Sequence, residues 1–167
     1  MTKHLAGIAI VLATLCSSAL AVDLPKRKSG LWDIKVSRTG SNRPPQAMQM
    51  CIDQKTDSMA QQLGESVARE ACSKHEIRRE GNKVVADSVC KIGESTATSR
   101  TVFSGDFERT YRGEIRTKYE PPLMGRAEGL TLIEAKWIGA CKADQQPGDM
   151  IMPNGMKINV KQMQIKQ

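Results

Sequence analysis

The chain has 167 residues, a formal net charge of +7, and only two residues each of Trp, Tyr and Phe. Its Lys and Arg residues are scattered among Asp and Glu without interleaved aromatics, which argues against nucleic-acid binding. Of the two histidines, His4 lies in the N-terminal leader segment, and His75 alone cannot build a multi-histidine metal centre; the five cysteines contain no Cys-x-x-Cys, which argues against a zinc or dithiol redox motif.

The first element is a leader. Lys3 and His4 precede an apolar run over 5–15, broken only by Gly7 and Thr14, and Ala19-Leu20-Ala21 supplies small residues for cleavage. This predicts a secretory signal peptide (residues 1–21) cleaved after Ala21. The run is too short to span a bilayer, so no transmembrane segment is expected after cleavage. Residues 22–167 then form a single exported β-rich domain, periplasmic or secreted. A lipid anchor on Cys16 is disfavoured, because Leu15 stands where a lipobox needs a small residue. Lys26-Arg27-Lys28, the tightest basic cluster, reads as a solvated tail.

Residues 32–36 alternate apolar and polar, the mark of a half-buried strand. A loop follows over 40–45. Residues 47–52 read as a second strand with Met48, Met50 and Ile52 on one face. From Asp53 to about Glu70, Met59, Leu63 and Val67 recur at helical spacing. The helix is capped by Asp53 or Asp57, with Gly64 as a potential break. From Cys72 the pattern is a meander of strands over 72–79, 83–90, 95–104, 111–119 and 130–138. Glu80-Gly81-Asn82 makes a three-residue hairpin loop, and a loop over 120–129 is anchored by Pro121-Pro122. A last short strand runs over 156–160. The fold class is mainly β: a curled or barrel-like antiparallel meander of about seven or eight strands with one helix, stapled by two disulfides.

Four cysteines remain after leader cleavage, an even number suited to an oxidising compartment. If residue 79 opposes residue 83 across the three-residue loop, facing residues sum to 162 and Cys72 meets Cys90. Cys51 then pairs with Cys141. The rival, Cys51–Cys72, would clip the helical segment.

No catalytic set emerges. His75 sits in a strand beside a bridged cysteine, and no Gly-x-Ser-x-Gly elbow exists. Glu108, Glu114, Glu120, Glu128 and Glu134 are spread over the meander and are expected to pair with cations across strands. A hydrolase with an unidentified carboxylate pair stays as one alternative. Met48-Gln49-Met50 and Met150-Ile151-Met152, with Met156, offer soft donors suited to Cu(I), although packing explains Met48 and Met50. The strand over 95–104 carries hydroxyls on both faces. If the sheet closes, Thr98 with Tyr111, Tyr119 and Trp137 would line a small-ligand cavity. The leading reading is a non-enzymatic envelope domain. Its candidate partners are a small apolar ligand or an anionic envelope component, and no cofactor or metal is required.

Lys28-Ser29-Gly30-Leu31-Trp32 resembles the opening block of an exported bacterial family known as domain-of-unknown-function family 3617. Similar blocks follow in the same order: residues 48–53, Thr98-Ser99-Arg100-Thr101-Val102, Gly105-Asp106-Phe107, residues 137–141, and the Pro/Gly/Met tail over 147–156. Asp33 departs from the Glu usual there. The resemblance implies a proteobacterial periplasmic protein and carries no known activity, so no catalytic residue is transferred.

Overall fold

The computed structural model describes residues 24–40 and 44–163; the leader, its Ala21 cleavage site and Cys16 lie outside them. The described residues form nine strands and two helices. The strands are β1 (Gly30–Arg38), β2 (Gln46–Ile52), β3 (Cys72–Glu80), β4 (Lys83–Ile92), β5 (Ser95–Gly105), β6 (Thr110–Leu123), β7 (Arg126–Gly139), β8 (Asp149–Ile151) and β9 (Lys157–Asn159). The helices are α1 (Gln54–Ala71), between β2 and β3, and the single turn α2 (Val160–Met163). All strands join one antiparallel sheet in the order β3-β4-β5-β6-β7-β1-β2-β8-β9. The mainly β meander with two disulfides is the expected one, but the sheet stays open, with β3 and β9 as its edges. Among the described residues no helix is long and apolar enough to cross a membrane.

Two connections differ from expectation. The loop expected over 120–129 is instead the paired ends of β6 and β7. The prolines cannot donate to a ladder, yet a register shift between Lys118 and Leu123 carries the strand past them. Met124 (φ 49°) and Gly125 (φ 78°) then close a two-residue turn in which both residues are left-handed, the geometry that fits twisted strands. The β3–β4 hairpin also turns on two residues, with Glu80 opposite Lys83 rather than residue 79 opposite 83. That register alone would miss Cys90 by one position. A bulge at Ser73 restores it, and Cys72 faces Cys90.

Both expected disulfides are present, Cys51–Cys141 and Cys72–Cys90. Their sequence separations are 90 and 18 residues. In the chain-entropy model these correspond to about 4.6 and about 3.2 kcal/mol of denatured-state restriction.

Helix α1 starts on a reciprocal cap. Asp53 Oδ1 accepts the Thr56 N–H at 2.7 Å, and Thr56 Oγ1 accepts the Asp53 N–H at 2.9 Å. The Thr56 N–H and the Thr56 hydroxyl, which also donates to Asp53 Oδ1 at 2.7 Å, hold the Asp53 carboxyl below the usual Asp range. Asp57 is therefore not the cap. It is buried, and Gly64 leaves the helix unbroken.

α1 lies over β3 and β4, and the face it covers is the inner face. Cross-strand register puts Trp32, Ile34, Val36, Met48, Met50, Phe103, Tyr111, Ile133, Ala135 and Trp137 on this face. The packed core centres on Trp32, Ile34, Ile52, Phe107, Tyr111 and Ala135. Tyr111 stacks on Phe107 (centroids 5.4 Å apart) and meets Trp32 at 5.5 Å and the edge of Phe103 at 6.1 Å. The close approach needs Gly113, where a Cβ would come within 2.5 Å of the Phe103 ring. Phe107 reaches the core from the β5–β6 turn at φ 56°. Asp106 Oδ1 steadies that turn by accepting N–H groups from Glu108, Arg109 and Thr110 at 2.7–3.0 Å.

Candidate functional site

The segment before β1 is not a solvated tail. Lys28 N–H donates to the Phe107 carbonyl at 3.1 Å, Trp32 Nε1–H donates to the Lys28 carbonyl at 2.8 Å, and Trp137 Nε1–H donates to the Ser29 carbonyl at 3.1 Å. Lys28 Nζ sits 3.8 Å from the Trp137 ring centroid, a cation–π contact. The two tryptophans thus spend their N–H groups pinning this arm to the sheet end.

Arg27 turns inward from the arm. Its Nε donates to Asp57 Oδ1 at 2.9 Å, its backbone N–H reaches Asp57 Oδ2 at 3.2 Å, and its Nη1 reaches the Tyr111 hydroxyl at 3.3 Å. Burial pushes the guanidinium down, and the Tyr111 and Asp57 oxygens outweigh it, so its pKa lies above the ordinary Arg value. A buried carboxylate needs such a partner, and the cap at Asp53 sets Asp57 one turn into the helix, facing the sheet.

Beside this network lies a cleft of about 290 Å³ between the arm, α1 and the inner sheet face. Leu24, Pro25, Ala60, Ile77, Val84, Ala86, Phe103, Phe107 and Tyr111 supply an apolar lining. Arg27, Asp57 and Gln61 form the polar border. Strand alternation delivers Ile77, Val84, Ala86 and Phe103 to one face, and α1 supplies the opposite wall.

The four expected cavity residues do not converge. Tyr111 belongs to the cleft and to the core stack. Trp137 is half-buried on the same face, but it is engaged by Lys28 and Ser29. Tyr119 is eight residues further along β6, about 27 Å at strand spacing, and lies against Gly129. Thr98 points to the opposite, outer face. Of the hydroxyls expected on β5, Ser99 faces inward, where its Oγ lies 2.9 Å from Thr117 Oγ1 on β6. The open sheet explains the dispersal, since without closure its inward positions surround no common space.

The outer face carries a wider trough of about 730 Å³, whose floor is the backbone around Ser88, Ser99, Thr117 and Gly129. Lys74, Arg100, Arg116 and Lys118 rim it with Asp87 and Glu128, and Thr98 lies among them. These charges are mostly spoken for. Lys118 and Glu128 face each other across β6–β7, Arg100 Nη1 reaches Asp87 at 3.3 Å, Lys74 Nζ lies 3.2 Å from Glu76, and Arg116 Nε donates to Glu114 at 2.6 Å. His75 is exposed on edge strand β3. Among the described residues, no three His, Cys, Asp or Glu side chains are grouped closely enough to hold a metal ion.

Sequence reasoning missed the pairing of Arg27 with Asp57, reading Arg27 as part of a solvated tail and Asp57 as a candidate helix cap. The only local signal was an acidic residue four positions beyond the cap, which is equally the mark of a solvated first turn. No curated protein and no solved structure matches the chain significantly. The sequence profile of one family, described as a protein of unknown function (DUF3617), matches residues 27–141. The matched span opens at Arg27 and closes at Cys141, taking in the buried ion pair, the cleft walls from α1 to β6 and both disulfides, and the chain belongs to the DUF3617 family.

Proposed function

We propose that the protein is exported, cleaved after Ala21, and acts in the periplasm as a non-enzymatic binding domain for a small apolar ligand. The observation that carries this reading is the cleft between α1 and the inner face, lined by Ala60, Ile77, Val84, Ala86 and Phe103. Its volume of about 290 Å³ suits a short acyl chain or a single substituted ring. Arg27, Asp57 and Tyr111 satisfy one another, so the cleft asks for no charge on its occupant. Among the described lining residues Asp57 is the one carboxylate and is held by Arg27, and no Ser, Cys or Lys is present, whereas acyl transfer needs an activated nucleophile and glycosyl transfer a pair of carboxylates. The paired disulfides fit an oxidising compartment.

A second reading, an anionic envelope component on the outer trough, draws on Lys74, Arg100, Arg116 and Lys118. Their carboxylate neighbours weaken it, and salt would screen such binding strongly.

Titration with an environment-sensitive apolar dye separates the two. Saturable binding by the native chain, lost when Ala60→Leu fills the cleft and kept when Arg116→Ala and Lys118→Ala strip the trough, is the expected result. Equal dye binding by the Ala60→Leu protein, with unchanged circular dichroism, would contradict the cleft assignment.

A further inference from the structure

Met48 and Met50 stand two residues apart on β2, and Met150 on β8 lies directly opposite Met50. Facing residues on adjacent strands keep their Cβ atoms about 4.5–5.5 Å apart, and diagonal neighbours about 7–8 Å. Beyond β8 the chain turns back through Pro153-Asn154-Gly155, and Met152 N–H donates to the Met156 carbonyl at 2.8 Å. Alternation returns Met152 to the side of Met150, and the β2–β8 register carried one step further sets it beside Met48. All four methionines are half-buried.

Packing explains half of this set, since Met48 and Met50 rest on the Trp32 cluster. Met150 and Met152 lie outside that cluster and extend the thioether surface toward the sheet edge.

We propose that Met48, Met50, Met150 and Met152 form a binding site for Cu(I), held by their thioether sulfurs. Neutral, polarisable thioethers select a soft monovalent ion, whereas Zn(II), Ca(II) and Mg(II) prefer thiolate, imidazole or oxygen donors. Three rotatable bonds let each methionine bring its sulfur inward from a Cβ one strand spacing away. Among the described residues the cysteines that would compete for the ion are locked as Cys51–Cys141 and Cys72–Cys90. A thioether carries no proton, so binding is independent of pH across the range where a histidine or cysteine site would titrate. Trp32 faces Met50 across β1–β2 and serves as an internal fluorescent reporter. The site is separate from the α1 cleft and stands or falls without it.

The test titrates the purified protein with Ag(I) as a redox-inert substitute, following tryptophan emission, and then with Cu(I) under anaerobic competition with bicinchoninate. One ion per chain, quenched emission and equal affinity at acidic and neutral pH are expected. Met50→Leu and Met150→Leu each weaken binding by about tenfold or more, while Met124→Leu in the exposed β6–β7 turn leaves it unchanged. Failure to compete with bicinchoninate would overturn the proposal. So would unaltered binding by a folded Met50→Leu/Met150→Leu protein, or a steeply pH-dependent site abolished by His75→Ala.

Discussion

Each side of the sheet carries an Arg–Asp contact, and the two differ above all in burial. On the inner side Arg27 meets Asp57 with side-chain exposures of 14% and 2%. On the outer side Arg78, Arg100, Asp87 and Glu80 form a network across β3, β4 and β5, with side chains 28–49% exposed. If a partner is removed outside, water replaces it. If one is removed inside, the other charge stays desolvated. The inner pair also ties the N-terminal arm to the helix, so its loss opens the cleft that the two elements border.

The largest effect expected from this contrast is that of Asp57→Ala, which leaves Arg27 buried and unpaired and costs about 3–5 kcal/mol in denaturant unfolding. The double variant Arg27→Met/Asp57→Leu sharpens the point. Replacing both charges by apolar groups brings stability back to within about 1 kcal/mol of the native protein, or above it. Asp53→Ala comes next, at about 1 kcal/mol, because it removes the cap that orients Asp57. Its pH dependence has a definite sign. The folded Asp53 carboxyl is held below the ordinary value of 3.8, so its stabilising effect is present above that value and disappears as pH falls through the lower folded value. The gap between the native and Asp53→Ala proteins therefore closes below about pH 4. Arg100→Ala on the outer network is the smallest, within about 0.5 kcal/mol, and 1 M salt erases it while leaving the Asp57 effect largely intact.

What was legible in the sequence follows the range of the forces involved. The strand alternation, a helix cap at Asp53 or Asp57 and the Cys72–Cys90 bridge rest on local periodicity or on one hairpin, and Cys51–Cys141 follows as the complementary pair. Cys72 faces Cys90 as expected although the β3–β4 turn holds two residues rather than three, because the bulge at Ser73 offsets the difference. The Arg27–Asp57 pair was illegible because its partners are 30 residues apart, Arg27 reads as a charge of a solvated tail and Asp57 as a rival helix cap. Pairing of β8 with β2, which aligns Met150 with Met50, depends on a contact a hundred residues long in sequence that no local pattern announces. The expected cavity assumed closure. An open sheet instead divides Thr98, Tyr119 and Tyr111 between two faces and two ends, and the cleft that does exist needed α1 and the arm as walls.

Native mass spectrometry of the protein isolated from the periplasmic fraction tests the central claim most directly. The account predicts a chain beginning at Val22, four hydrogens lighter than its reduced mass. It should carry a small apolar molecule that leaves on gentle activation and is missing from the Ala60→Leu protein. A chain that keeps its first 21 residues, or one equally bare with and without the filled cleft, would contradict it.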